Sequence, residues 1–414
     1  MRNTRLIGHN TKSNGDVKKI VFDFISFDEL VNEKHANAFF LNSILRDARR
    51  KGEKANYVQY SDLGMLGIFA RVAKRTSVSS DLSRKNVSGI VFTALFFVFS
   101  HFFSLVDLTL RSKLLRILRD EGEIESVVVS YPYLVETFKK LTAKLNKKVK
   151  ITLLEHNIES KYSEYNMGGI AKTSAGRFLL LIISKIENEA IKEADDVLTG
   201  SLNDMNWVRR KFPGKEVSLI PYVRRDVEFK ISLPTRMMTH SLKQFDITSE
   251  KINIFFIGSN YTLNVRSVEH LISLSRSLED LESEIAFVII GSVSKQFENY
   301  KDIPGNVYFL GYIDDLENVS CYADLFFLES LMNTGFESKA YSYSYFDRPI
   351  VVLGGDLEDF KRFSHSHFVH FNRLEDFEKM LRSIVNSRLK VTCSTVYKLS
   401  STRSPPKTTI GRSK

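Results

Sequence analysis

NVYFLGYIDDLENVSCYADLFFLESLMNTGFESKAYSYSYFDRPIVVL, residues 306–353, decides how this chain is read. It alternates strand, loop, helix, strand, loop, helix, strand. Residues 307–310, 323–328 and 349–353 are short apolar runs of strand type, separated by segments with helical spacing. Between the last two runs lie the Asn333–Thr334–Gly335 loop and a helix start carrying Lys339. Such a loop and helix start make an anion site, because unpaired backbone N–H groups and the helix dipole both face the ligand. A lysine in that first turn is unfavourable against the dipole, and a bound diphosphate relieves the conflict. Gly335, Lys339 and Ser342 are therefore candidate diphosphate-binding residues.

The same alternation extends outward on both sides. Toward the N-terminus, strands are expected at 19–27, 55–60, 126–130, 149–154, 196–199 and 217–220. Helices are expected at 35–51, 113–119, 134–145 and 178–193, and another is capped by Ser201. The pattern breaks near Ile220–Pro221, and 224–250 is polar, with Pro234. It restarts with INIFFIGSN from Ile252, a helix at 264–278 and IAFVIIGS from Ile285. Strands alternating with helices argue for parallel sheets covered by helices. The expected fold class is α/β, with two Rossmann-like doubly wound domains facing across a cleft. The expected boundaries are 1–228 and 229–389, followed by a polar, basic and mobile tail at 390–414. Ligands in such sheets bind beyond the carboxyl ends of the strands.

Length and composition agree with two globular domains: 414 residues, 43% hydrophobic and 26% charged. The net charge of +10 fits nucleic acid, an anionic membrane surface or phosphorylated small molecules. The basic clusters, Arg46 to Lys51 and Lys144 to Lys150, are short and do not alternate with aromatics, so no nucleic-acid partner is expected. Cys321 and Cys393 are too few and too far apart for a disulfide framework or zinc cluster. A reducing cytoplasm is the expected location, since the N-terminus lacks the apolar core of a signal peptide. Residues 90–106, IVFTALFFVFSHFFSLV, with Ile90 and Val106 at the ends, carry no formal charge. The run falls short of the ~20 apolar residues that span a bilayer. It reads as a buried helix or as a peripheral contact with the inner face of the cell membrane, flanked by cations that suit anionic headgroups.

Candidate site residues follow from strand ends. His156 and Asn157 close the apolar strand before Glu159 and are the catalytic candidates. Gly258 and Ser259 follow the first strand after the linker, where glycine permits close backbone approach and the serine hydroxyl can meet a phosphate. Gly291, with Ser292, ends the next strand, where a base and ribose can lie. There is no Asp-x-Asp, no Gly-x-x-x-x-Gly-Lys-Ser/Thr and no Gly-x-Ser-x-Gly, so no metal is expected and neither a P-loop nor a nucleophile elbow is read.

Taken together, LLEHNIES at 153–160, ADDVLTGSLNDMNWVRRKFPGKEVSLIPYV at 194–223, FFIGSNYTLNVRSVEHL at 255–271 and NVYFLGYIDDLENVSCYADLFFL at 306–328 resemble the family 4 retaining glycosyltransferases of GT-B fold. The resemblance covers roughly residues 125–355. It implies an acceptor-side first domain and a donor-side second domain. It implies metal-independent transfer of a sugar, with retention, from a UDP- or GDP-sugar to a glycan or lipid-linked acceptor, without a resident cofactor. By position, His156 falls near sugar and acceptor, Gly258 and Ser259 face the diphosphate, and Lys339 neutralises it. The chain departs from the family pattern at several places. Thr334 and Ser342 stand where many members carry glutamates, Tyr222–Val223 follows Ile220–Pro221 in place of Asn-Gly, and NEKHAN at 32–37 replaces a Gly-Gly loop. These departures leave a non-catalytic partner or scaffold as the alternative. An epimerase or hydrolase on the same fold, using Glu155 and Glu159, ranks below both.

Overall fold

The computed structural model describes residues 19–23, 36–53, 55–59, 108–120, 124–220, 247, 250–313, 316–320, 322–332, 334, 338–344, 346, 348–361, 367–389, 391–392 and 395–396. The chain divides into two compact units, one of Met1–Asp226 with Thr334–Phe336 and one of Val227–Asn333 with Glu337–Lys414. The expected membrane contact at 90–106 lies outside the described residues, as do Gly335 and residues 221–246.

In the first unit six strands form one parallel sheet: β1 (Lys19–Asp23), β2 (Ala55–Gln59), β3 (Ser126–Ser130), β4 (Lys150–Glu155), β5 (Asp196–Thr199) and β6 (Glu216–Leu219). Their order is β2-β1-β3-β4-β5-β6, and β3 pairs in parallel with both β1 and β4. The connecting helices are α1 (Ala36–Arg50), α2 (Leu108–Asp120), α3 (Val135–Lys144), α4 (Glu159–Met167), α5 (Ser174–Glu193) and α6 (Leu202–Lys211). The strands read SVVVS and KITLLE because a parallel strand covered on both faces buries consecutive residues. Val127, Val129, Leu153, Val197, Phe138 and Ile183 meet in one core. The expected serine cap is present: the Ser201 hydroxyl accepts from the Asp204 N–H at 3.1 Å and starts α6.

The second unit repeats the plan with β7 (Ile252–Ile257), β8 (Ile285–Ile290), β9 (Val307–Gly311), β10 (Leu325–Ser330), β11 (Pro349–Gly354) and β12 (His367–Phe371). Their order is β12-β11-β10-β7-β8-β9, again parallel. Its helices are α7 (Thr262–Ser277), α8 (Leu316–Ser320), α9 (Ser338–Tyr343), α10 (Leu357–Lys361) and α11 (Leu374–Asn386). IAFVII of β8 is buried at every position, and Phe256, Phe287, Phe327, Leu271 and Phe377 fill the core against α7 and α11.

Two expectations shift. The strand read at 323–328 runs two residues later, because Asp324 is engaged in closing the ladder: its carboxylate accepts from the Asn253 N–H at 2.9 Å. Of the tail expected to be mobile from 390, the described residues are 391–392 and 395–396. Val391 packs against the core and Val396 is fully buried within it, so two valines in a polar segment anchor what average composition reads as solvated.

Candidate functional site

The strand order of the second sheet locates a site. The chain moves outward from β7 through β8 and β9, then crosses back to lay β10, β11 and β12 on the other side of β7. The chain order switches between β7 and β10, and in open α/β sheets ligands bind beyond the carboxyl ends of such a strand pair. Gly258 and Ser259 leave β7 there, and the segment carrying Lys339 leaves β10.

Packing fixes the lysine. On α9, Ala340 and Tyr343 are fully buried, and the Tyr343 ring stacks on Phe326 at 4.6 Å. The Tyr343 hydroxyl accepts from the Ile257 N–H at 2.9 Å, at the last residue of β7. One turn earlier, Lys339 Nζ donates to Asn264 Oδ1 at 2.9 Å and lies 5.8 Å from the centre of the Phe256 ring. Asn264, in the first turn of α7, turns its amide back to the Ser259 carbonyl at 2.9 Å and to Ser259 Oγ at 3.3 Å. Lysine, asparagine and serine thus form one chain of hydrogen bonds across the switch point. Accepting from Asn264 leaves the Ser259 hydroxyl proton able to donate elsewhere. With only six residues, α9 has little dipole to offer an anion, so the ammonium is the dominant fixed charge.

Glycines bring three strand ends close together. The Gly258 N–H donates to the Ile290 carbonyl at 2.9 Å, Val293 N–H to the Gly258 carbonyl at 3.2 Å and Gly291 N–H to the Gly311 carbonyl at 2.6 Å. Gly291 has φ +105°, and a Cβ there would collide with the Gly258 carbonyl oxygen. The Asn260 N–H reaches the Ser292 hydroxyl at 2.9 Å. Ser342 is exposed on α9, one turn beyond Lys339. On the next strand, Glu329 Oε1 is 2.7 Å from His270 Nδ1 of α7, and Glu329 Oε2 is buried with no hydrogen-bond partner.

In the first unit the order reverses between β1 and β3, and the residues beyond β3 and β4 carry the unusual chemistry. His156 is 3% exposed and lies against Tyr131, ring centres 5.3 Å apart. Tyr131 holds φ 76° and ψ 134° immediately before Pro132, a strained conformation for a residue with a Cβ. Asn157 is half-buried beside His156.

Behind His156 is a buried acid cluster. Helix α4 starts at Ile158 without a side-chain cap of its own. Glu187 of α5 supplies one: Oε1 accepts from the Glu159 N–H at 2.5 Å, and Oε2 accepts from the Ser160 hydroxyl at 2.6 Å. Burial pushes Glu187 up to about 7, opposed by those hydrogen bonds and by Lys211. Burial, with repulsion from Glu187, pushes Glu159 from its ordinary 4.5 to about 8. Glu155 is raised well above the usual carboxylate range by burial first, then by Glu187, Glu159 and Asp204. Neither of its oxygens has a hydrogen-bond partner. Residue 334 meets this group: the Thr334 hydroxyl accepts from the Ile158 N–H at 2.9 Å and donates to Asp204 Oδ1 at 2.8 Å.

The structure therefore brings Gly258, Ser259, Gly291 and Lys339 to neighbouring strand ends of the second unit, while His156 and Asn157 belong to the first. Sequence reasoning missed Asn264, Tyr131 and Glu187. Asn264 had one available signal, an amide two positions into a helix that follows a glycine loop. Glu187 had none, because its partners are 27 and 28 residues away in the chain. Among the described residues no group of three or more His, Cys, Asp or Glu is placed to hold a metal ion.

No protein-family model and no curated protein matches the sequence. Solved structures do. Anabaena Alr3699/HepE in complex with UDP matches at TM-score 0.51 and 10% identity, over 93% of this chain and 95% of that one. The same protein with UDP-glucose matches at 0.50, with the same identity and coverage. The fold class is GT-B. Each unit is a Rossmann-like domain, and at 10% identity the likeness speaks to fold alone. TarM aligns at TM-score 0.46 and 12% identity over 71% of this chain and 53% of its own, so the chain spans about half the length of TarM.

Proposed function

We propose that the protein is a metal-independent, retaining glycosyltransferase that moves a sugar from a UDP- or GDP-sugar to a glycan or lipid-linked acceptor. The observation that carries this reading is the Lys339–Asn264–Ser259 chain at the switch point of the second sheet. One protein of like fold, Anabaena Alr3699/HepE, was solved with UDP and with UDP-glucose, which supports a nucleotide-sugar donor.

In this reading Lys339 meets the diphosphate, with Gly258 and Ser259 against its oxygens. The loop at Gly291 and the Ser342 hydroxyl take base and ribose. His156 and Asn157 serve the sugar and acceptor. Glycosyl transfer leaves negative charge on the departing diphosphate as an oxocarbenium-like centre forms. A positioned ammonium stabilises that charge by roughly 3 kcal/mol, the scale of one preorganised donor in a water-poor site. Asn264 keeps the ammonium from swinging away before the donor arrives, so little reorganisation is needed at reaction. A cation supplied by the chain does what a divalent metal does elsewhere, which is the physical basis for metal independence.

The test is a thermal-shift screen of UDP, GDP and their sugars, with and without EDTA, followed by donor hydrolysis and product anomer analysis. Stabilisation by one nucleotide that survives EDTA is expected. A folded sample that responds to no nucleotide would falsify the reading. A second reading, a non-catalytic partner of the same fold, is favoured by Thr334 and Ser342, neither of which carries a carboxylate. Nucleotide binding without turnover on any donor would select it.

A further inference from the structure

Among the described residues of the first unit, the large apolar side chains left in solvent are Phe178 and Leu181, 66% and 69% exposed. They stand one turn apart on the same face of α5. Lys185 continues that face a turn further on, and Arg177 and Lys172 lie at its N-terminal end, all exposed. No Asp or Glu occurs from Gly168 to Ile186. The opposite face of α5 is anchored, with Ile183, Ile186 and Ala190 in the core and Leu179, Leu180 and Ile182 packed against it. Thr173 caps the helix by accepting from the Gly176 N–H at 3.1 Å, and the Arg177 guanidinium donates to the Lys172 carbonyl. The outer face is thus held rigidly by a structured helix.

We propose that this outer face of α5 docks on an anionic lipid bilayer, with Phe178 and Leu181 entering the headgroup–acyl boundary and Lys172, Arg177 and Lys185 meeting lipid phosphates. Single exposed apolar residues are ordinary on a protein surface. Two on consecutive turns, flanked by cations, with the first exposed acid of that face at Glu189, 4.0 Å from Lys185, have the composition of an interfacial helix. The size of the patch selects the occupant. Two such side chains offer roughly 200–300 Å² of apolar surface, whereas a stable protein interface takes about 800 Å² per partner. A bilayer needs no matching contour, and the overall charge of +10 favours a negative one. The surface lies on a different element from the Phe-rich stretch at 90–106, and it holds whether or not the second unit transfers sugar.

The experiment is co-flotation of the full chain with phosphatidylcholine vesicles, with and without phosphatidylglycerol. The wild type partitions onto the phosphatidylglycerol vesicles. Phe178→Ser with Leu181→Ser lowers that partition about tenfold or more, the scale expected for losing two inserted apolar side chains. Its melting temperature stays unchanged, because neither side chain is in the core. Lys172→Gln with Lys185→Gln lowers it about fivefold per charge, and only on the anionic vesicles. Wild type that ignores anionic vesicles overturns the proposal. So does a Phe178/Leu181 variant that partitions like wild type, which would place the contact elsewhere, at 90–106 for example. A variant that changes oligomeric mass instead of flotation overturns it too, and would assign the face to a second copy of the chain.

Discussion

Replacing Glu159 by glutamine removes one member of the buried acid cluster without changing its shape, and the effect on stability has a definite sign. In the folded chain Glu159 keeps its proton to about pH 8, while in the unfolded chain it loses it near 4.5. Between those values the folded state binds the extra proton, so stability falls as pH rises, by about 1.4 kcal/mol per pH unit for one group. Below 4.5 both states are protonated and no penalty exists; above 8 the penalty is complete. From pH 5 to pH 8 the loss sums to about 4 kcal/mol, a large part of the 5–15 kcal/mol that holds a typical domain together. Glutamine has no proton to lose and keeps the backbone N–H that bonds to Glu187. Glu159→Gln is therefore expected to match wild type near pH 5 and to exceed it by about 4 kcal/mol at pH 8. That is roughly 10 °C in melting temperature for a domain of this size. Denaturant unfolding of both proteins across that range, followed by far-ultraviolet circular dichroism, measures the difference directly. Equal pH slopes in the two proteins would mean that Glu159 is not held protonated by burial, and the account of the cluster would fail.

Lys339→Met should weaken UDP binding about 100-fold, equivalent to losing roughly 3 kcal/mol of charge stabilisation, with no change in melting temperature; unchanged affinity by calorimetry would remove the lysine from the site. Gly291→Ala should destabilise by about 2–3 kcal/mol, since its backbone lies in the left-handed half of the map and the added methyl meets the Gly258 carbonyl; a melting temperature within a degree of wild type would contradict that geometry. Thr334→Glu places a further carboxyl against Asp204 and removes a hydrogen-bonded hydroxyl, so a loss of about 2–4 kcal/mol is expected at pH 8 and less at pH 5. A loss independent of pH would show steric crowding instead of charge.

The alternation of apolar runs was enough to read both sheets, because parallel strands covered on both faces leave a continuous signature: INIFFI, IAFVII and PIVVLG are buried almost throughout. Ser201 was legible as a cap because the cap is local. The helix start carrying Lys339 was legible for the same reason, lying a few positions after a strand. What the sequence hid was long-range. Glu187 reads as one polar residue on an amphipathic helix, and nothing in its neighbours tells that its carboxylate caps α4. Tyr131 looks like an ordinary aromatic before proline, and its positive φ is imposed by the turn out of β3. Val396 was lost in a polar average, although a single buried methyl cluster suffices to hold a segment in place.

The two functional readings differ over the carboxylates missing at 334 and 342. Position 334 has a physical constraint of its own. Its hydroxyl is held between the Ile158 N–H and Asp204, and Asp204 already repels the buried Glu155. A carboxylate at 334 would join Glu155, Glu159, Glu187 and Asp204 in one desolvated region, where each added negative charge costs several kcal/mol unless it takes up a proton. Threonine is the residue this surrounding acid charge admits, so its presence does not by itself mark a lapsed site. Other features cost free energy that a scaffold has no use for. The Tyr131 backbone holds about 1–3 kcal/mol of strain against His156, and Asn264 and Phe256 immobilise a lysine that would gain rotamer entropy in solvent. Costs concentrated at the carboxyl ends of the strands, where each sheet reverses direction, favour a site that still binds and acts on its ligand.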